Sequence, residues 1–214
     1  MGWLIRIGGL SIFMNLSLIF CSYLATEKLD VDLKQLEDYC YQLESLSKGR
    51  EKSNVGGWQS EDLNQSDPII NSLAKQLILS ASPLIEYSQF KGNIGISNIW
   101  ININRKHCYN RTHNHPNSLI SGTFYIKVPE NSGNIIFENP NECLRYCLTP
   151  ELKGYNEINS IDWTYKPQPG TVLYFPGYLK HFVEPNNTTE DRISLAFNIA
   201  LINESYNPST LYSY

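Results

Sequence analysis

The chain has 214 residues, 42% of them hydrophobic, and Lys+Arg 17 against Asp+Glu 21 give a net charge of −4. That suits one domain with a substantial core, while the lack of a basic stripe or an acidic block excludes electrostatic nucleic-acid binding and a charged disordered tail. Cys21, Cys40, Cys108, Cys143 and Cys147 are odd in number and irregularly spaced, so they form no disulfide framework or zinc ribbon and read as reduced thiols.

The opening run MGWLIRIGGLSIFMNLSLIFCSYLA carries one early Arg and reads as a signal peptide or short anchor. Asn15 and several Ser and Gly interrupt it, and Met14 offers a second start that makes LIFCSYLA the first strand. Six Asn-X-Ser/Thr sequons, beginning at Asn15, Asn64, Asn110, Asn186, Asn187 and Asn203, are expected by chance in so Asn-rich a chain. A cytoplasmic protein without a membrane partner is the expectation.

Asp30 or Asp32 caps a first helix carrying Leu33, Leu36, Cys40 and Leu43 at helical spacing. Ser47–Ser66 is polar and Gly-containing and reads as a loop, with Trp58 folding back onto the core. Ser66 or Asp67 before Pro68 starts a second helix. Ile69, Leu73, Leu77, Ala81 and Leu84 mark its apolar face, and Pro83 is a kink point. Further on, ISNIWININRK alternates, with Ile99, Ile101 and Ile103 opposite Trp100, Asn102 and Asn104. LISGTFYIKV, GNIIFENP, TVLYFPG and RISLAFNIALI follow as short strands between Gly, Pro and Asn turns. Helices first and strands afterwards give a mainly β protein, a jelly roll braced by N-terminal helices. The division is residues 1–13 as an extra segment, 14–90 as first strand and helical support, 91–203 as core and 204–214 as tail.

Chemistry concentrates in RTHNHPNSLISG, which holds two of the chain's four histidines. In extended backbone, residues i and i+2 share a face, so His113 and His115 can reach one metal. His181, after an apolar strand and a Pro-Gly turn, is the third candidate, whereas His107 reads as a loop residue. Three imidazoles suit zinc, iron, copper or nickel equally. With an unperturbed pKa near 6.5, they should hold metal less well below about that pH. Arg192 and Ser194 share one face of a strand, where a guanidinium fork and a hydroxyl make a carboxylate clamp. The plainer reading pairs Arg192 with Glu184, Glu190 or Asp191. Asn102, Asn104 and Tyr125 are candidates to bond a bound acid or a substrate, or are simply packed sheet residues.

The ordered series HNHPNSLISGTFYIKVP, SGNIIFENP, PGTVLYFPGYLKHFVEP and RISLAFNI, with SNVGGWQS upstream, resembles the 2-oxoglutarate/Fe(II)-dependent oxygenases of marine bacteria and their phages. The resemblance runs from about Leu16 to Ile202. It implies a double-stranded β-helix (jelly-roll, cupin-like) core with N-terminal helices. His113 and His181 are then iron ligands, and Arg192 with Ser194 holds the C5-carboxylate of 2-oxoglutarate. The reaction implied consumes O2, oxidises a substrate that the sequence does not name, and yields succinate and CO2. The wider superfamily has a carboxylate where this chain has His115. Glu138, the nearest downstream acid on a strand, sits before a Pro turn and does not match a ligand position.

Three rivals remain at this level: a cupin-like three-histidine dioxygenase without 2-oxoglutarate, a zinc hydrolase or lyase, and a non-catalytic sheet protein. The segments expected to face substrate are Glu142–Tyr165, the tail from Glu204 and the stretch around Ser53–Ser60.

Overall fold

In a computed structural model, residues 2–7, 10–15, 17–144 and 152–202 are described, with side chains from residue 17 onward. The N-terminal run folds as a hairpin of β1 (Gly2–Ile7) and β2 (Leu10–Asn15), paired only with each other. The strand expected over LIFCSYLA is absent; β3 covers Ala25–Lys28 and pairs along the edge of the core. Among the described residues no helix is long and apolar enough to cross a membrane.

Helix α1 (Leu33–Leu46) starts at Asp32, whose carboxylate accepts from the Gln35 N–H at 2.9 Å. Helix α2 (Pro68–Tyr87) starts at Asp67, which accepts from the N–H groups of Ile69 and Ile70, with Pro68 at the first helical position. Pro83 sits inside this helix and cannot donate to the Leu79 carbonyl. The Ser82 hydroxyl donates to that oxygen instead, at 2.7 Å.

The core is two antiparallel sheets. The larger has the order β3-β11-β8-β13-β6-β5 and the smaller β10-β9-β12-β7-β4. Their strands are β4 (Asn54–Val55), β5 (Trp58–Gln59), β6 (Asn93–Asn104), β7 (Tyr109–His113), β8 (Ile120–Lys127), β9 (Ile135–Glu138), β10 (Asp162–Tyr165), β11 (Thr171–Pro176), β12 (His181–Val183) and β13 (Arg192–Ile202). This is the expected double-stranded β-helix with its helices on one flank.

Period-two alternation decides the layering. Ile99, Ile101 and Ile103 of β6 and Ile193, Leu195, Phe197 and Ile199 of β13 are buried in one cluster with Leu36, Cys40, Ile70, Leu73 and Leu77 of the helices. Each such side chain contributes about 1.5–3 kcal/mol of burial. The alternate residues, Trp100, Asn102 and Asn104 on β6 and Arg192, Ser194 and Ala196 on β13, face the interior between the sheets.

Ser47–Ser66 is more than a loop. Its β4 pairs with β7 in the small sheet and its β5 with β6 in the large one, so the Gly56-Gly57 turn joins the two sheets at one edge. Two-residue strands are too short for a periodic signal, which is why the sequence hid them. Trp58 is buried as expected, its indole N–H donating to the Ser47 carbonyl at 3.0 Å. Cys21, Cys40, Cys108 and Cys143 are free thiols; Cys147 lies outside the described residues. The side chains of Asn110 and Asn186 are buried and hydrogen-bonded, so neither sequon can carry a glycan in the folded chain.

Candidate active site

Cross-strand register brings the histidines together. His181 opens β12 directly opposite His113, which ends β7. His115 follows two residues on, its N–H donating to the Gly177 carbonyl at 2.8 Å. The metal-binding atoms of His113, His115 and His181 all lie within 4.8 Å of one another. His107 stands apart in a loop at φ 68°, as expected.

A β-bulge aims His113. Along regular strand Asn110 and His113 would face opposite ways, yet both line the interior. The pairing slips by one residue between His181↔His113 and Val183↔Asn110, so Arg111 and Thr112 together oppose Phe182. Beyond His113 the chain makes a β-turn over His115–Ser118, closed by Ser118 N–H to His115 carbonyl at 3.3 Å. Pro116 at the second position and Asn117 at φ 68° in the third make it a type II turn. The residues HPNS signal that turn in the sequence.

Tautomers follow from carbonyl partners, since a carbonyl can only accept. Nδ1 of His113 is 2.7 Å from the Arg111 carbonyl and Nδ1 of His181 is 2.9 Å from the Leu179 carbonyl. Both Nδ1 atoms therefore carry the proton, leaving Nε2 with a free lone pair. His115 has no such partner among the described residues. It is packed between Trp100, with ring centroids 5.7 Å apart, and Phe175 at 6.4 Å. Phe137 and Phe175 wall the far side of His181.

Burial pushes all three imidazoles below their ordinary range. His115 falls to about 4, through desolvation first and His113 second. His113 is lowered by desolvation, and His181 well below 6.5 by desolvation and then its two neighbours. The acid sensitivity expected near pH 6.5 therefore moves down in the folded site. The sign is fixed: the unfolded chain takes up these protons near pH 6.5 and the fold resists doing so. The stability they confer is complete above about 6.5 and is lost as pH falls toward about 4. The melting temperature of metal-free protein should hold between pH 8 and 7 and drop progressively between pH 6 and 4. Metal affinity should stay nearly level down to about pH 6; a steep loss already between pH 7 and 6 would contradict this environment.

The other end of the same cavity holds Arg192, 2% exposed. Its Nη1 donates to the carbonyls of Ser132, Gly133 and Glu184. Its Nη2 is buried with no partner. The plainer expectation, a pair with a nearby carboxylate, fails: Glu184 accepts from the Asn134 backbone and side chain, at 3.0 and 2.8 Å. Asp191 accepts from the Tyr41 hydroxyl, and the Glu190 carboxylate makes no ion pair with Arg192. An unpaired buried cation costs several kcal/mol, and burial lowers the guanidinium pKa accordingly. Gly133 makes room for it. At φ 92°, a Cβ there would come within 2.8 Å of Nη1 and 2.5 Å of the Glu184 carbonyl.

Asn104 is the register partner of Arg192, and Ser194, Tyr125 and Asn102 line the cavity next along the same sheet. In register, Ser194 stands between Asn102 on β6 and Tyr125 on β8. Tyr125 is buried, and burial raises its phenol pKa against the pull of Arg192, which keeps it a donor. Asn104 donates to Asn110 Oδ1 at 3.2 Å, while Asn102 Oδ1 is buried without a partner. All seven candidate residues, His113, His115, His181, Arg192, Ser194, Tyr125 and Asn102, thus line one cavity.

Sequence reasoning missed Trp100, Asn110, Thr123 and Phe175, which line it too, together with Ser53 from the stretch expected to face substrate. Trp100 was legible from its alternation with Ile99 and Ile101. Asn110 was not, because it meets Ser53 through the β4–β7 pairing. Glu138 faces away, its carboxylate accepting from the Thr112 hydroxyl at 3.5 Å, and it does not join the histidines. On the inner face of the small sheet, cross-strand pairs continue the row His113–His181 through Phe137 to Trp163, half-exposed on the edge strand β10. Of the segments expected to face substrate, residues 145–151 and the tail from Glu204 lie outside the described residues.

A three-histidine cluster and an unpaired buried guanidinium in one jelly-roll cavity fit a metal at one end and a carboxylate at the other. The comparisons agree. Residues 98–198 match the family model described as "Putative 2OG-Fe(II) oxygenase". Among curated proteins none matches the sequence. Solved structures are similar in fold. One is a prolyl-4-hydroxylase from Pseudomonas putida, 15% identical, covering 84% of this chain and 93% of its own, at a TM-score of 0.60. Another is HygX from Streptomyces hygroscopicus with nickel and 2-oxoglutarate bound, 13% identical over 85% and 84% of the two chains, also at 0.60. A third is the non-haem α-ketoglutarate-dependent carbocyclase SnoK of nogalamycin biosynthesis, 12% identical over 87% and 83%, at 0.62. Residues 98–198 thus match the putative 2OG-Fe(II) oxygenase family model, and the chain shares the fold of these three solved structures.

Proposed function

We propose that His113, His115 and His181 hold Fe(II), that Arg192 and Ser194 bind the C5-carboxylate of 2-oxoglutarate, and that the protein oxidises an organic substrate presented at the histidine end. The observation that carries this reading is the Nη2 of Arg192, a buried donor without a partner in the cavity that ends at the histidines. A carboxylate supplies the missing acceptor in a charge-assisted bond. A cupin-like dioxygenase that needs no 2-oxoglutarate leaves that nitrogen without a purpose.

Each residue has a task. The Nδ1–H bonds of His113 and His181 to backbone carbonyls hold their rings in the tautomer that offers Nε2. Low imidazole pKa values keep all three nitrogens free of protons at neutral pH. The ligand set is neutral, so it leaves the full double charge of the ion to attract a dianionic acid. Tyr125, held as a phenol, donates a hydrogen bond near the Arg192 end, and the Asn102 amide serves the middle of the co-substrate. Phe137, Phe175 and Trp100 keep water from the metal end. Fe(II), 2-oxoglutarate and O2 together supply an oxidative decarboxylation to succinate and CO2 that is coupled to substrate oxidation. The exposed indole of Trp163, at the end of the row that begins with His113, offers the substrate an apolar approach.

Anaerobic titration of the Fe(II)-loaded protein with 2-oxoglutarate tests the reading directly. A weak visible metal-to-ligand charge-transfer band should grow in and saturate. Iron binding without any band would instead assign the three histidines to cupin-like chemistry.

A further inference from the structure

Two of the three histidines are oriented through their rings, His113 by the Arg111 carbonyl and His181 by the Leu179 carbonyl. The His115 ring has no hydrogen-bond partner among the described residues, so its aim depends on the backbone that carries it. That backbone is the type II turn His115–Ser118, and the turn is fastened by polar contacts on two sides. On one side, His115 N–H donates to the carbonyl of Gly177, in the turn between β11 and β12, and the fit is close. A Cβ on Gly177 would come within 2.4 Å of the Ser118 carbonyl oxygen and 2.9 Å of the His115 carbonyl oxygen.

Toward the large sheet, the fastening is Ser118. Its hydroxyl donates to the Ile120 carbonyl at 2.7 Å and lies 3.4 Å from the Ile199 carbonyl. The next N–H, of Leu119, donates to the same Ile199 carbonyl at 2.9 Å. The Ser121 hydroxyl lies within donating reach of both Ser118 Oγ, at 3.1 Å, and Asn198 Oδ1, at 2.7 Å, and shares its one proton between them. Asn198 Nδ2 then donates to Asn98 Oδ1 at 2.9 Å. Asn98, Asn198 and Ser121 are consecutive partners across β6, β13 and β8, so the turn is anchored to three strands at once. Through the Ser118 hydroxyl the turn is thus tied to strands that are themselves joined by side-chain hydrogen bonds.

We infer that Ser118 is the positioning residue for His115, doing through the turn what the carbonyl partners of His113 and His181 do through the ring. The inference rests on the three-histidine reading of the metal site. It concerns the ligand that stands where the wider superfamily has a carboxylate, and explains how an imidazole without a ring partner is held to the same point.

The test uses Co(II) alone, without 2-oxoglutarate or O2, on the full chain and on Ser118→Ala, His115→Ala and the double variant. Ser118→Ala should weaken Co(II) by roughly 10–100-fold, the range for residues that orient a ligand. Its ligand-field spectrum should shift toward that of His115→Ala. In the His115→Ala background the same change should cost nothing more, because there is no imidazole left to aim. Ser118→Thr, which keeps the hydroxyl, should restore most of the affinity. Ser121→Ala, one step further along the chain, should give a smaller loss with the same dependence on His115, and serves if Ser118→Ala does not fold. Equal losses in both backgrounds, or wild-type affinity and spectrum in Ser118→Ala, overturn the inference. If His115→Ala itself leaves Co(II) binding unchanged, the three-histidine reading falls and the inference with it. A failure confined to Ser118 leaves the metal site standing.

Discussion

Arg192→Met should lose 2-oxoglutarate at concentrations that saturate the wild type, while Fe(II) binding is kept. Methionine fills much of the guanidinium volume but offers no donor, so a C5-carboxylate in that pocket is left desolvated and unpaired. Truncating one member of a buried, hydrogen-bonded charge pair costs about 2–5 kcal/mol, or roughly 30-fold to several thousand-fold in affinity. The upper part of that range is expected because Arg192 is 2% exposed and has no competing carboxylate. The charge-transfer band reports the acid and a separate iron titration reports the metal. Parallel loss of both would make Arg192 a structural residue, whose chief task is to tie the Ser132–Gly133 turn and the Glu184 carbonyl to β13.

The second large effect belongs to His181. His181→Ala should weaken Fe(II) by more than the roughly 10–100-fold expected of residues that only orient ligands, and should abolish the charge-transfer band at any accessible 2-oxoglutarate concentration. His181 is the most enclosed of the three, 4% exposed and ringed by His113, His115, Phe137 and Phe175. A ligand lost there cannot be replaced by a side chain from solvent. Competition titration against a chelator of known affinity measures the change, and affinity within threefold of wild type would remove His181 from the metal site. Set beside the Ser118 variants, this ranks the site: loss of a ligand first, loss of a ligand's aim second.

On the proposed reading, His115 in place of a carboxylate gives these experiments a wider meaning. A neutral ligand set lowers the burial cost of the site in one respect, since no carboxylate has to be desolvated beside the imidazoles. The cost appears elsewhere, as three like groups whose protonation each opposes that of the others. Desolvation first, and that mutual opposition second, set the downward shift of their pKa values. It predicts a protein indifferent to pH near neutrality and sensitive below about 6.

Much of this was written locally in the chain. Asp32 and Asp67 announced their helices because an uncapped N-terminus leaves N–H groups without acceptors. Ile99, Ile101 and Ile103 announced β6 because strand side chains alternate, and the same period put Arg192 and Ser194 on one wall. The spacing of His113 and His115, and the later His181, pointed to a metal before any strand was paired. Tertiary structure decided what depends on register and burial. Pairing of β7 with β12 put His181 across from His113, and the bulge at Arg111 and Thr112 turned His113 inward, both beyond the reach of a spacing rule. The two-residue strands β4 and β5 exist only because β7 and β6 receive them, and of LIFCSYLA only Ala25 pairs, with Tyr174. Above all, sequence could place Glu184, Glu190 and Asp191 near Arg192, but only the fold could turn Glu184 to Asn134 and leave one guanidinium nitrogen without an acceptor. Local chemistry names the groups that can meet; whether a buried charge finds its partner within the protein or in a ligand is settled by packing.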